Sequence, residues 1–288
     1  MSSGSQNKKR AKKANFLGRM LMLLPVSCAI FYPLYLAAQL DLVEDAYVSP
    51  ALPGAFDGLR VAFLSDIHYG AYLNEERVRD LVRRVNALEP DLIILGGDYG
   101  EDSQGALAFF HLMPGFQAKI ATVAVMGNHD RTLPESNLQA ICRAMMEANI
   151  HPLVNDALVI EREGKKLAIA SVDDYYNGHP DLEKAAALCR DADFTIFAPH
   201  TPDILPETYH MAGGIFYDLA LCGHTHGGQV NLFGRALKSS SDYGERFRTG
   251  WKRENGADIL ISNGVGTSFL PVRLGTRPQF HLITLKAE

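Results

Sequence analysis

Two pairs of metal-ligand type stand out in this 288-residue chain. Asp66-x-His68 follows the apolar run Leu59–Ser65, and His224-x-His226 follows Tyr217–Cys222. A spacing of two puts both side chains of each pair on one side of extended chain. Asp98 follows Asp91–Leu95 through Gly96-Gly97, Asn128 follows Ile120–Met126, and His200 follows Asp193–Ala198. Seven oxygen or nitrogen donors thus arrive from five strand ends. That is more than one tetrahedral zinc takes, and it suits two divalent metal ions sharing a carboxylate. A donor set of His, Asp and Asn without thiolate favours Mn, Fe, Zn or Co over Ca or Mg alone. Two such ions roughly 3.5–4 Å apart would clamp a phosphoryl group and lower the pKa of a shared water from 15.7 towards about 7. Phosphoryl transfer asks for this positioning and charge neutralisation more than for covalent help. His129 adjoins Asn128, so the two side chains diverge and do not face the same metal. The other histidines (His111, His151, His179, His210 and His281) read as surface or ordinary core residues.

The elements that must position these donors follow from hydrophobic patterning. The apolar runs named above read as strands, separated by helical patterns at Glu75–Leu88, after a possible Asn74 cap, and Pro134–Ala148. This alternation predicts a layered α/β domain. Further strands are expected at Leu167–Val172, Gln229–Phe233, Asp258–Ser262 and Phe280–Leu285, so the second half should be richer in β-structure. The polar clusters sit just beyond the C-terminal ends of strands, where α/β proteins build their sites.

The series Asp66-x-His68, Gly97-Asp98, Gly127-Asn128-His129-Asp130, His200 and Gly223-His224-x-His226 resembles the calcineurin-like metallophosphoesterases over about residues 59–288. The resemblance implies a four-layer αββα sandwich with a dinuclear centre. It assigns Asp66, His68, Asp98 and His226 to one metal and Asp98, Asn128, His200 and His224 to the other, with Asp98 bridging. It also implies that His129 stabilises the phosphoryl transition state or protonates the leaving oxygen, with Asp130 orienting it. The stretch Gly223-His224-Thr225-His226-Gly227-Gly228-Gln229, with Leu270-Pro271-Val272-Arg273, is similar to a membrane-anchored bacterial branch of that family. That branch is associated with phosphodiesterase activity and, in some members, with UDP-2,3-diacylglucosamine hydrolysis in lipid A synthesis.

The N-terminus fits such an anchor. Residues 20–38 are uncharged and would span about 28 Å as a helix, close to the roughly 30 Å of bilayer hydrocarbon. The expected organisation is a basic cytoplasmic tail (1–19), a transmembrane helix (20–40), a linker (41–58) rich in breakers, and the catalytic domain (59–288). Six cations and no acid in residues 1–19 leave a formal −11 on the rest of the chain, against −5 for the whole. The basic tail predicts a cytoplasmic N-terminus at the inner membrane and a domain on the outer, periplasmic side. So acidic a body disfavours nucleic acid as partner. Cys28, Cys142, Cys189 and Cys222 stand too far apart for a zinc knuckle or disulfide framework.

The expected protein is therefore a membrane-anchored dinuclear-metal phosphoesterase, using metal-bound hydroxide on a phosphodiester or pyrophosphate in a phosphorylated small molecule or lipid-linked substrate. Its rivals are a broad-range periplasmic phosphodiesterase or phosphatase and a membrane-tethered binding protein with structural metals. Asp173-Asp174 is expected to cap a turn. The segment 236–256 reads either as a solvated connection or as a basic lip of Arg246, Arg248 and Lys252 for an anionic headgroup. Arg273 fits either a strand-edge salt bridge or a phosphate contact.

Overall fold

Short strands apolar on both faces set the frame, as expected for parallel sheets covered on both sides. The structure is a computed structural model that describes residues 27–70, 72–132 and 135–288. Its first sheet contains, in spatial order, β1 (Asp41–Ser49), β14 (Gln279–Ala287), β2 (Arg60–Leu64), β3 (Leu92–Leu95), β4 (Ala121–Ala124) and β5 (His151–Pro152). The second contains β12 (Gly250–Glu254), β13 (Ala257–Ile261), β9 (Leu219–Cys222), β8 (Phe194–Phe197), β7 (Lys165–Ser171) and β6 (Asp156–Arg162). β2 through β5 run parallel, as do β7, β8, β9 and β13. The hairpins β6–β7 and β12–β13 close the second sheet at its two edges.

Side chains alternate across each strand. Val61, Phe63, Leu92 and Ile94 meet Leu167, Ile169, Ile196 and Leu219 between the sheets. The intervening Ala62, Leu64, Ile93 and Leu95 pack outward on the helices α1 (Glu75–Asn86), α2 (Ser103–Leu112) and α3 (Glu135–Glu147). Ala168, Phe197, Ala220 and Ile259 do the same on the other flank, against α4 (Leu182–Leu188) and α5 (Leu205–Thr208). Helix, sheet, sheet and helix thus form four layers, the arrangement expected from the sequence. Asn74 caps α1 by accepting from Arg77 N at 3.1 Å.

The segment 41–58 departs from expectation. It is not a free linker, since β1 pairs in parallel with β14 along its full length. Tyr47 stacks on Trp251 and donates to Asp258 at 3.2 Å, so β1 also ties the two sheets together. Pro50 and Pro53 mark the end of a strand here. Phe56, from the following turn, is buried between the sheets.

Of the expected membrane segment, residues 20–26 lie outside the described residues. Positions 27–37 are helical, with Ile30, Phe31, Tyr32, Leu34 and Tyr35 exposed and Leu36 and Ala37 buried. Among the described residues, no helix is long and apolar enough to cross a membrane.

The domain boundary can be tested by truncation. A chain starting at Leu59 loses buried Tyr47, Leu52 and Phe56. Each such side chain contributes about 1.5–3 kcal/mol, which together removes much of a domain's usual stability of about 5–15 kcal/mol. Thermal unfolding followed by circular dichroism should therefore show a far lower midpoint, or aggregation, for that chain than for one starting at Leu40.

Candidate metal centre

Five parallel strands release their chains at one end of the sandwich, and the polar loops that follow converge there. Asp66, His68, Asp98, His224 and His226 all adopt positive φ, between 49° and 70°. Asp and His tolerate this region better than most residues, though each such position still costs on the order of 1–3 kcal/mol. The turns are held by pairing that continues past the strands. Asp66 N donates to Gly97 O at 2.9 Å, His68 N to Asp98 O at 3.0 Å, and Tyr69 N to Tyr99 O at 2.8 Å.

The donors meet in two buried groups, Asp66 with His68 and His226, and Asp98 with His200 and His224. Asp98 lies between the groups, with Oδ2 at 3.2 Å from His200 Nε2 and 3.7 Å from His68 Nε2. His68 and His226 bring their Nε2 atoms within 3.1 Å of each other. Asn128 Oδ1 sits 2.8 Å from His224 Nδ1. All seven donors named from the sequence are thus brought together.

Electrostatics sharpen the picture. Burial pushes His68 down to about 3 and His224 to about 4, and it holds His226 well below the usual imidazole range, so all three are neutral. Burial also raises Asp66 to about 6. For Asp98 burial works upward, but His200 beside it outweighs burial and keeps the carboxylate ionised. Burial works against His200 in turn, yet Asp98 raises it to about 10.

This donor set fits divalent cations. A neutral His224 has one ring proton but faces two acceptor oxygens, Asn128 Oδ1 at 2.8 Å and Ser240 O at 3.2 Å. A cation held by His224 and Asn128 would remove that conflict. His200 donates Nδ1–H to Gly96 O at 2.7 Å, which directs the buried Nε2 inward towards Asp98. A backbone carbonyl fixing the ring tautomer in this way is the usual support for a metal-binding histidine.

Two expected roles change. Asp130 does not hydrogen-bond His129. Its carboxylate instead accepts from Asp98 N, Tyr99 N and Gly127 N at 2.8–2.9 Å, clamping the loops after β3 and β4 together. His129 is oriented by Glu101, whose backbone oxygen lies 2.8 Å from Nδ1. Arg273 is neither a strand-edge ion pair nor a phosphate contact. It is fully buried and donates to the carbonyls of His226, Asn263 and Gly266 at 2.6–2.7 Å.

Of the two readings of 236–256, the basic lip of Arg246 and Arg248 is not formed, because both are paired. Arg246 pairs with Glu254 at 2.6 Å and Arg248 with Glu245 at 2.7 Å. Of the cations in 236–256, Lys238 is the one that lines the cavity over the donors. Asp174 caps the turn at Tyr176 and Asn177, as expected. Sequence reasoning missed three supports. Asn177 donates to Asn128 O, Glu101 orients His129, and Asp203 accepts from Ser241 and Asp242 beside the Ser240 carbonyl that His224 faces. Each acts on or through main-chain groups, which carry no signal in side-chain spacing.

The cavity has a volume of about 430 Å³ and joins Asp98, Asn128, His129, His224 and His226 to an apolar wall of Val230, Leu237, Phe269 and Leu270. A buried, carboxylate-bridged arrangement of imidazoles at the strand ends of an αββα sandwich defines a metal-dependent phosphoester hydrolase. Residues 59–228 match the calcineurin-like phosphoesterase family, and the chain belongs to it. It is 28% identical to the uncharacterized metallophosphoesterase YkuE of Bacillus subtilis over 86% of each chain. It is 30% identical to phosphodiesterase YaeI of Escherichia coli, covering 78% of this chain and 82% of that one. It is also 30% identical to a Bos taurus transmembrane protein with metallophosphoesterase domain, over 82% of this chain and 55% of the relative.

A close approach gives a test of the donor geometry. A Cβ on Gly127 would overlap Asp98 Oδ1, whereas one on Gly115 meets nothing within 4 Å. Gly127→Ala should therefore lower the metal bound per chain, measured by elemental analysis after dialysis, while Gly115→Ala should leave it unchanged.

Proposed function

We propose that this chain is a membrane-tethered phosphodiester or pyrophosphate hydrolase that works with two divalent cations on a lipid-linked substrate. The observation that carries the reading is the placement of Asp98 between two buried groups of imidazoles. In this reading Asp66, His68, Asp98 and His226 hold one cation, and Asp98, Asn128, His200 and His224 hold the other. Such a pair supplies Lewis acidity at a phosphoryl oxygen and an activated water.

The chain's own groups do the rest. His129 spends Nδ1 on the Glu101 carbonyl, leaving Nε2 for a substrate oxygen in the cavity. Burial works against its protonation, but Asp98 outweighs that and raises its pKa, so it can hold a proton for the leaving oxygen. Asp130 and Arg273 keep the donor loops in place. The apolar wall excludes water and offers surface to a hydrophobic part of the substrate.

Tethering is supported by the uncharged run 20–38 and by the exposed apolar residues at 30–35. The Bos taurus relative, a transmembrane protein with metallophosphoesterase domain, points the same way. An anchor raises the effective concentration of the site for lipid-borne phosphates, which makes a diacyl nucleotide glycolipid of the UDP-2,3-diacylglucosamine type the leading substrate. The cations of residues 1–19 favour a second reading, a broad-range periplasmic phosphodiesterase at the inner membrane, because they direct the domain outward.

The test is turnover of bis-p-nitrophenyl phosphate by the full chain in detergent with Mn, Zn or chelator. Activity should require metal. Asp98→Ala should abolish it together with metal binding. His129→Ala should cost on the order of 10²–10⁴ in kcat, the range for losing a general acid, with bound metal unchanged. No turnover above Asp98→Ala under any metal overturns the reading. A panel comparing diacyl glycolipid with soluble diesters then separates the two substrate readings.

A further inference from the structure

Two tight loops with apolar tips border the cavity mouth. The hairpin of β10 (Asn231–Leu232) and β11 (Arg235–Ala236) turns at Phe233-Gly234, with φ of +52° and +80°. A two-residue turn with both centres left-handed favours Asn-Gly or Asp-Gly, and a bulky residue there costs on the order of 1–2 kcal/mol. Phe233 is nevertheless fully exposed, at 105%. Phe269 repeats the pattern at φ +61° and 80% exposure. Leu232, Leu237 and Leu270 are exposed beside them. Among the described residues, nothing offsets the strained backbone that presents these unburied aromatic rings.

The surroundings select a lipid bilayer as occupant. Arg273 N donates to Pro33 O at 3.0 Å, and Pro271 lines a pocket with Leu34 and Ala37. The loop bearing Phe269 is therefore docked on the helix at 27–37, part of the uncharged run 20–38. The segments 229–240 and 266–272 carry exposed Arg235 and Lys238 and no acid, within a net acidic chain. Cations flanking aromatic and leucine tips match anionic headgroups above hydrocarbon. The loop positions are fixed, since Gln229 donates to Ser268 O at 2.8 Å and accepts from Ser268 N at 2.9 Å.

We propose that Phe233, Leu237, Phe269 and Leu270 insert into the membrane beside the N-terminal helix. The cavity then opens onto the headgroup layer, where a lipid phosphate reaches the donors while its acyl chains stay in the bilayer. The substrate part of this proposal rests on the tethered-hydrolase reading, whereas insertion itself needs no turnover.

The experiment uses the full chain in phosphatidylcholine–phosphatidylglycerol vesicles containing acyl-brominated phosphatidylcholine. Trp251→Phe removes the single native tryptophan, and Phe233→Trp, Phe269→Trp or Val159→Trp introduces a probe. Val159 is exposed on the edge strand β6 and serves as control. Emission at 233 and 269 should fall by on the order of half on bromination, since interfacial groups sit about 5–10 Å into the headgroup boundary, while emission at 159 holds. Equal quenching at all three positions overturns the proposal. So does a dimer by sedimentation with unquenched, blue-shifted probes at 233 and 269, which would assign the rim to a second copy. Because no substrate is present, failure here leaves the hydrolase reading intact, and failure to hydrolyse diesters leaves insertion intact.

Discussion

Two carboxylates and four imidazoles held together away from water are the constraint on which the rest of this structure depends. Asp66 and Asp98 are at most 2% exposed, and His68, His200, His224 and His226 at most 9%. Removing an ionised carboxylate from water is costly unless an opposite charge or directed hydrogen bonds compensate. Here each carboxylate receives backbone N–H groups, His224 N at Asp66 and His129 N at Asp98, both at 2.9 Å. Burial keeps His68, His224 and His226 neutral, whereas His200 is held as a cation beside Asp98. Such a cluster offers inward-facing oxygen and nitrogen donors that suit divalent cations.

Holding the cluster demands a backbone that cannot relax, and the chain supplies this with buried groups that touch no substrate. Asp130 gathers three N–H donors from two loops onto one carboxylate. Arg273 places a guanidinium among carbonyls, with burial lowering its pKa to about 10. Glycine makes the approach of loops possible. A Cβ on Gly223 would lie 2.5 Å from Asp66 Oδ2. The left-handed turns at the donors are tolerated because these contacts over-determine them.

The central strands were legible in the sequence because burial on both faces leaves unbroken runs such as Leu92–Leu95 and Phe194–Phe197. The donors were legible because pairs spaced by two, just past such runs, have few places to go. β1 and β6 were not. As sheet-edge strands they keep charged residues, Asp41, Glu44 and Asp45 in one and Glu161 and Arg162 in the other, and so resemble linker. α2 escaped because its mixture of Gly, Ala and paired Phe has no clear polar face, although Phe109 and Phe110 pack on Tyr99. Asp130 follows His129 directly, which invites pairing the two, but the turn directs its carboxylate into the backbone instead. In the sequence Arg273 fits either a strand-edge ion pair or a phosphate contact, because an arginine shows its burial only through carbonyls that the tertiary fold brings to it.

The loop after β9 links the chemistry to the cavity mouth. His224 and His226 face the donor cluster, and three residues on, Gln229 holds the main chain around Phe269. Arg273 then returns from that same loop to the His226 carbonyl, while its own N–H reaches Pro33 in the N-terminal helix. The loops 224–229 and 268–273 are therefore joined, with a polar end at the donors and an apolar end at the rim. A force that shifts Phe269, such as burial in another phase, acts on His226 through two hydrogen bonds and a guanidinium rather than through a flexible tether. Because rigid interiors transmit small displacements instead of absorbing them, the setting of the rim and the geometry of the donors cannot vary independently.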